Sequence, residues 1–146
     1  MGVSNPMRWD CAKSGCFNIC KRPKIEAFAP FLPPRVSFTD IDGVCQVGAP
    51  LFNDEGCFIF IEWKEGPGPE QQPEELPAGQ RRLMAALTKH LPHAIGFAVA
   101  GDAETMRVDW VQRHLRGGRG GWKRSSFDEL GQMMREWWEQ ATAVQQ

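Results

Sequence analysis

The sequence predicts an α/β (α+β) domain in which a mixed central sheet is flanked by helices. Segments rich in aromatic and β-branched residues, typical of strands, alternate with segments of helical periodicity. This alternation is the pattern of helices packed on a sheet. The chain has 146 residues, of which 42% are apolar and 24% charged, so we expect a single domain, residues 1–146, with a core of its own.

The N-terminal half predicts an irregular segment, a short helix and a strand meander. Residues 1–23 are rich in Cys, Gly, Lys and Arg and have little periodicity. Residues 24–31 predict a short helix, which we expect to end at Pro30 or at Pro33-Pro34. Residues 36–47 alternate as a strand does, and the turn residues 53–56 lead into a second strand. These pieces indicate antiparallel pairing.

The C-terminal half predicts two helices around two further strands. Residues 65–79 hold four Pro and three Gly, which predicts a mobile polar loop, and residues 116–121, RGGRGG, predict a flexible one. Ser126 followed by Glu129 is a capping arrangement that predicts the start of the last helix. In chain order, the predicted elements are a helix at 80–91, strands at 94–101 and 106–115, and a helix at 125–141.

Two charged residues interrupt the most apolar strand of the chain, which reads CFIFIEWK. Glu62 and Lys64 are separated only by Trp63, so both side chains point to the same face of the strand. Buried charge is costly unless it is paired or bound to a metal. One explanation is a structural Glu–Lys salt bridge, and the other is a site that uses both charges.

Two aspartates precede this strand at the distance of a hairpin partner. Asp40 and Asp42 lie in the segment FTDIDG, which is also compatible with a simple turn. A carboxylate from this segment and Glu62 on the next strand could reach one ion. Mg²⁺ prefers oxygen ligands and often takes only one or two carboxylates from the protein. The backbone carbonyl of Trp63 offers a further oxygen.

Asp42, followed after 19 residues by Glu62-Trp63-Lys64, resembles the motif of the PD-(D/E)XK nuclease superfamily. Gly79 and Gln80, at the start of the next helix, match the Gly-Gln of small phage-type members. The resemblance covers residues 24–101. It implies a restriction-endonuclease-like core of order αβββαβ and cleavage of DNA phosphodiester bonds with Mg²⁺ or Mn²⁺.

The resemblance also implies a role for each matching residue. Asp42 and Glu62 would bind the metal, Lys64 would position the attacking water, and Gln80 would support the site. The chain departs from the pattern because no proline precedes the first acidic residue, which leaves the choice between the two aspartates open. The additional metal ligands that it suggests are the Trp63 carbonyl, Asp40 and Glu26.

A basic segment in the C-terminal third is a candidate nucleic-acid surface. Residues 107–124 carry six Lys or Arg against one Asp, although the whole chain has a net charge of only −1. Basic side chains beside an aromatic ring can follow a phosphate backbone, with the ring stacking on a base. A solvated loop explains the composition nearly as well. The candidate contacts are Arg113, Arg116, Arg119, Trp122, Lys123 and Arg124.

Three of the five cysteines lie close together near the N-terminus. Cys11, Cys16 and Cys20 could hold a structural Zn²⁺ if a fourth ligand came from elsewhere in the chain. Their spacing matches no finger or ribbon signature, and reduced cysteines also serve as small apolar residues. The candidates for the fourth ligand are Cys45, Cys57 and His90.

The leading hypothesis is therefore a metal-dependent DNA endonuclease. The alternatives are a catalytically silent nucleic-acid- or protein-binding module on the same fold, and a zinc-stapled adaptor. No apolar run of membrane-spanning length is present, so we expect no membrane partner. The N-terminal residues lack the apolar region of a signal peptide, which favours the cytoplasm of a bacterium or phage-infected cell. A homodimer is compatible with cutting two strands.

Overall fold

The computed structural model describes residues 25–34, 41–47 and 57–144. The chain divides into two compact units, Met1–Phe38 and Thr39–Gln146. In the first unit, Ile25–Phe31 form a 3-10 helix where the sequence predicts a short helix. Pro30 lies inside this helix and does not end it. The predicted first strand before Ile41 and the turn at 53–56 lie outside the described residues.

The described part of the second unit is a six-stranded mixed sheet with two helices, which confirms the predicted fold class. Two described strands precede the first helix of this unit, where the prediction has three, and two short strands that were not predicted precede the last helix. The bounds are β1 Gly43–Val47, β2 Cys57–Glu65, α1 Ala78–His90, β3 Ala94–Asp102, β4 Arg107–Leu115, β5 Gly118–Arg119, β6 Lys123–Arg124 and α2 Phe127–Val144.

The sheet is antiparallel except at its centre. β1 pairs antiparallel with β2, and β3 pairs antiparallel with β4. β2 and β3 run parallel, so the chain between them must cross from one end of the sheet to the other, and α1 makes this crossing. The short strands β5 and β6 both pair with β4. β2 therefore lies inside the sheet, between β1 and β3.

The two helices pack on opposite faces of the sheet. Side chains alternate along a strand, so Ile59, Phe97 and Val99 point to one face, where they form the main apolar core with Leu130 of α2. On the other face β3 presents small residues. A Cβ built on Gly96 would lie 2.6 Å from Met84 Sδ of α1. The small residues of β3 therefore let α1 approach the sheet closely.

The loop between β2 and α1 is packed on the sheet, in contrast to the mobile loop that its composition predicts. Leu76 is only 2% exposed and contacts Ala98 and Ala100. Trp110 Nε1 donates a hydrogen bond to the Gly68 carbonyl, at 3.2 Å. Proline and glycine indicate that a segment lacks regular structure, and here the buried Leu76 and the hydrogen bond from Trp110 hold it on the sheet.

The basic Gly-rich segment also differs from the flexible loop that we predict. It folds back along β4 as the short strands β5 and β6. Gly118 has φ = 128°, a backbone conformation that favours glycine, and it follows the tight turn out of β4. The chain therefore turns at the glycines, and Arg119, Lys123 and Arg124 pair with residues of β4.

The start of α2 confirms the predicted capping arrangement. Ser126 Oγ accepts a hydrogen bond from the Glu129 backbone N–H at 3.1 Å and contacts Glu129 Oε1 at 3.2 Å. This cap satisfies the Glu129 backbone N–H, a donor that has no partner inside the helix. Asp128 and Glu129 in the first turn also suit the helix dipole.

Candidate active site

Asp42 lies immediately before β1, with its carboxylate at the backbone of β2. Asp42 Oδ2 accepts a hydrogen bond from the Trp63 backbone N–H at 2.6 Å. The Asp42 side chain thus takes the place of a carbonyl acceptor of the strand ladder, just beyond the point where β1 begins at Gly43. This bond fixes the carboxylate beside the Glu62–Trp63 peptide.

The strand register also brings Asp42 and Glu62 together. Gly43 pairs with Ile61 in the antiparallel ladder of β1 and β2. Continuing this register by one residue sets Asp42 opposite Glu62. Directly opposed residues of an antiparallel pair share a face and have Cβ atoms about 4.5–5.5 Å apart. The register and the Asp42–Trp63 bond therefore both bring the two acidic residues close together.

Glu62 is a buried carboxylate held by α1. Its side chain points to the α1 face of β2, and the residue is only 4% exposed. Gln80 Nε2, in the first turn of α1, donates a hydrogen bond to Glu62 Oε1 at 2.6 Å. Since α1 begins at Ala78, only a short part of the helix precedes Gln80. The structure thus brings together Glu62 and the glutamine predicted to support it.

Lys64 lies two residues after Glu62, on the same face of β2. It is partly buried and pairs in register with Ala100 of β3. None of the ion pairs formed between the described residues includes Lys64. The Lys64 side chain therefore lies outside these ion pairs on the Glu62 face of β2, and it is open in part to solvent.

The oxygen atoms at this site suit a hard divalent cation. The extended register sets the Asp42 and Glu62 carboxylates on one face beside the Trp63 peptide, and Mg²⁺ commonly binds through one or two carboxylates with water and substrate phosphate completing the shell. Within the described ranges, no group of three or more His, Cys, Asp or Glu is placed to hold a metal. A site here would therefore have few protein ligands.

The remaining predicted ligands belong to other parts of the chain. Asp40 lies outside the described residues, and Glu26 belongs to the 3-10 helix of the N-terminal unit. The predicted zinc ligands Cys11, Cys16 and Cys20 also lie outside them, while Cys45 is exposed and Cys57 buried. His90 is exposed at the end of α1.

The predicted nucleic-acid residues divide between the two faces of the sheet. Lys123 pairs with Val111 and shares the α2 face with it and with Arg113. Arg119 pairs with His114 and Arg124 with Trp110, which places these two arginines on the α1 face, with Glu62. Strand alternation therefore splits a run that looks continuous in the sequence.

Two of these six residues are engaged elsewhere. Trp122 is 7% exposed and packs with Leu76, so its ring is not open to stack on a base as predicted. Its burial follows from apolar neighbours that its position in the sequence does not reveal. Arg116, in the turn between β4 and β5, donates from Nη2 to the Lys89 carbonyl at 2.9 Å, at the C-terminal end of α1.

A buried polar network on the α1 face was not predicted. Gln112 Nε2 donates to Glu75 Oε2 at 3.1 Å and to the Gly120 carbonyl at 2.9 Å, which leaves Gln112 Oε1 to accept from His114 Nε2 at 3.1 Å. Burial, followed by the nearby Arg119 charge, lowers the pKa of His114, while Glu75 opposes this shift. The neutral Nε2–H form fits both observations.

The only sequence signal of this network is that polar residues 112 and 114 alternate with residues 111 and 113 in a strand. Polar residues in a strand are also typical of a solvent-exposed face. The loop that buries these residues is separated from β4 by more than thirty residues of chain. Long-range cover of this kind cannot be inferred from local periodicity.

Comparisons with known proteins leave the chain without an identified family. No family model, no curated protein and no solved structure matches it. None of the helices among the described residues is both long and apolar enough to span a membrane. The function must therefore be argued from the geometry of the site itself.

Proposed function

We propose that this chain is a divalent-metal-dependent phosphodiesterase that cleaves DNA. The observations that carry the proposal are the bond of Asp42 to the Trp63 amide and the bond of Gln80 to Glu62, with Lys64 on the Glu62 face of β2. Each of these residues comes from a position that the nuclease-like motif specifies.

The chain's own residues would divide the work of hydrolysis between them. Asp42 and Glu62 would hold Mg²⁺ or Mn²⁺, which when bound supplies a Lewis acid for the phosphate and lowers the pKa of water. Gln80 keeps the Glu62 carboxylate in a fixed orientation, so it pre-organises the site before substrate arrives. Asp42 is oriented in the same way by the Trp63 amide.

Lys64 would act on the phosphate and on the attacking water. Its ammonium group lies on the Glu62 face of β2, where it can offset charge that develops on the phosphate and orient water for attack. Because Lys64 is only partly buried, a substrate could reach it from solvent.

The central test is nicking of supercoiled plasmid in Mg²⁺ or Mn²⁺. Lys64→Ala should reduce the nicking rate by about 10²–10⁴-fold, the usual contribution of a positioned proton-transfer or charge-stabilising group. Lys89→Ala is the matched control, because Lys89 is an exposed lysine at the far end of α1. Equal activity of the Lys64→Ala protein and the wild type would refute the assignment.

A second measurement separates catalysis from binding. Calorimetric titration with Ca²⁺ should detect a site in the wild-type protein that Glu62→Gln weakens at least about tenfold, since a coordinating charge is lost. DNA binding without nicking in any divalent metal would instead support the catalytically silent binding module.

A further inference from the structure

We infer that Arg119 and Arg124 form the surface that guides a nucleic-acid backbone to the site, and that Glu70 and Glu75 occupy this surface as displaceable counter-ions when nucleic acid is absent. This inference rests on the proposed function, because it takes DNA as the partner. It assigns the phosphate contacts to two of the six candidate residues and gives the acidic loop between β2 and α1 a role in binding.

The sheet register places these arginines on the site's own face. Lys64 pairs with Ala100, Ala100 with Trp110, and Trp110 with Arg124, so one row of residues crosses the sheet from Lys64 to Arg124. At a strand spacing of about 4.8 Å, the two ends of this row are about 14 Å apart. The middle of this row lies under the loop between β2 and α1, so a backbone bound at Lys64 would pass over the loop to reach Arg124.

Both arginines are paired with glutamates of the loop that covers this face. Arg119 Nε lies 3.4 Å from Glu75 Oε2, and Arg124 Nη2 lies 3.8 Å from Glu70 Oε1. The side chains of the second pair are 59% and 87% exposed, so water screens it strongly. Exposed pairs of this length contribute little to stability, and an incoming phosphate can replace a carboxylate at low cost.

The loop itself need not unfold for this exchange. It is held by the buried Leu76 and by the bond from Trp110 to the Gly68 carbonyl, and neither contact involves Glu70. Rotation of the Glu70 side chain is therefore enough to expose Arg124. Glu75 is held more firmly, since Gln112 Nε2 also donates to it. Arg124 should consequently be the first of the two arginines to become available.

The chain provides matched controls for both halves of the inference. Arg113 and Lys123 carry the same charge as the two arginines but lie on the opposite face of the sheet. Glu74 is an exposed glutamate of the same loop, and it forms no ion pair with any described residue. Changes at these three positions alter net charge without altering the proposed surface.

The experiment measures binding of a short fluorescent DNA duplex by anisotropy in EDTA, as a function of salt. Arg119→Ala and Arg124→Ala should each lower the slope of log affinity against log salt by about 0.9, the value for one lost phosphate contact. Glu70→Gln and Glu75→Gln should tighten binding by up to about fivefold each. Arg113→Ala, Lys123→Ala and Glu74→Gln should leave affinity within about twofold of wild type.

Several outcomes would overturn the inference. If Arg113→Ala and Lys123→Ala weaken binding as much as the two α1-face variants do, the contacts reflect general charge. If Glu74→Gln tightens binding as much as Glu70→Gln does, the counter-ion role is wrong. Tightening by Glu70→Gln that persists in the Arg124→Ala background would also contradict it, and so would a wild-type protein that does not bind the duplex.

The outcome can be separated from that of the proposed function. Nicking that depends on Lys64, combined with unchanged binding by Arg119→Ala and Arg124→Ala, would leave the nuclease proposal standing and remove this surface. If these two variants lose DNA binding but the wild-type protein nicks no DNA, the binding surface would stand and the nuclease proposal would fall.

Discussion

The hydrogen bond from Gln80 to Glu62 should be among the most valuable polar contacts of the domain. Glu62 is 4% exposed, so water cannot replace the donor when the amide is removed. Hydrogen bonds to charged groups contribute about 1.5–3 kcal/mol, and a buried group left without its donor costs about as much. A double-mutant cycle of Gln80→Ala and Glu62→Ala should therefore give a coupling free energy of about 1.5–3 kcal/mol.

Urea denaturation of the four proteins would supply the free energies of unfolding for this cycle. The control cycle uses Gln132 and Glu136 on α2, where the same amide-to-carboxylate bond is exposed and measures 3.3 Å. Its coupling should not exceed about 0.5 kcal/mol. If the Gln80–Glu62 cycle is additive to within about 0.5 kcal/mol, the argument that this contact pre-organises the site fails.

Two further predictions concern the rest of the sheet. His114 has a lowered pKa in the folded protein, so the unfolded chain binds more protons below about pH 6.5 and stability should fall there as pH decreases. Between pH 7.5 and 5.5, denaturant titrations should show wild type losing up to about 1.4 kcal/mol more than His114→Gln, and equal losses would contradict the buried neutral imidazole. Gly101→Ala would drive a Cβ into the Arg107 backbone carbonyl of β4, so it should cost about 1–3 kcal/mol or more, whereas Gly131→Ala on α2 has open space and should be neutral or stabilising.

The parts of the site that the sequence predicts are those fixed by short-range geometry. Strand alternation alone places Glu62 and Lys64 on one face, and the structure follows that rule. The proximity of Asp42 to Glu62 can be predicted because only a short stretch of chain separates the two strands of a hairpin. Gln80 needs more than alternation. The match to Gly79-Gln80 at the start of a helix indicated it, and the 2.6 Å bond to Glu62 agrees with that expectation.

The features that the sequence does not predict depend on long-range packing. Trp122 looks like an aromatic ring in a flexible basic loop, yet it is buried because Leu76 and the alanines of β3 meet it there. The basic run looks like one surface, but the pairing of β5 and β6 with β4 sends its side chains to opposite faces. Composition records which residues are present, whereas the register of two very short strands decides where they point.

The loop between β2 and α1 links both proposals physically. It leaves the sheet just after Lys64, crosses β3 and β4 under the anchor of Leu76, and ends where α1 presents Gln80 to Glu62. The same loop carries Glu70 and Glu75. Because its two ends border the candidate site and its middle holds the arginines, a backbone that displaces the two glutamates would contact the segment that positions Gln80.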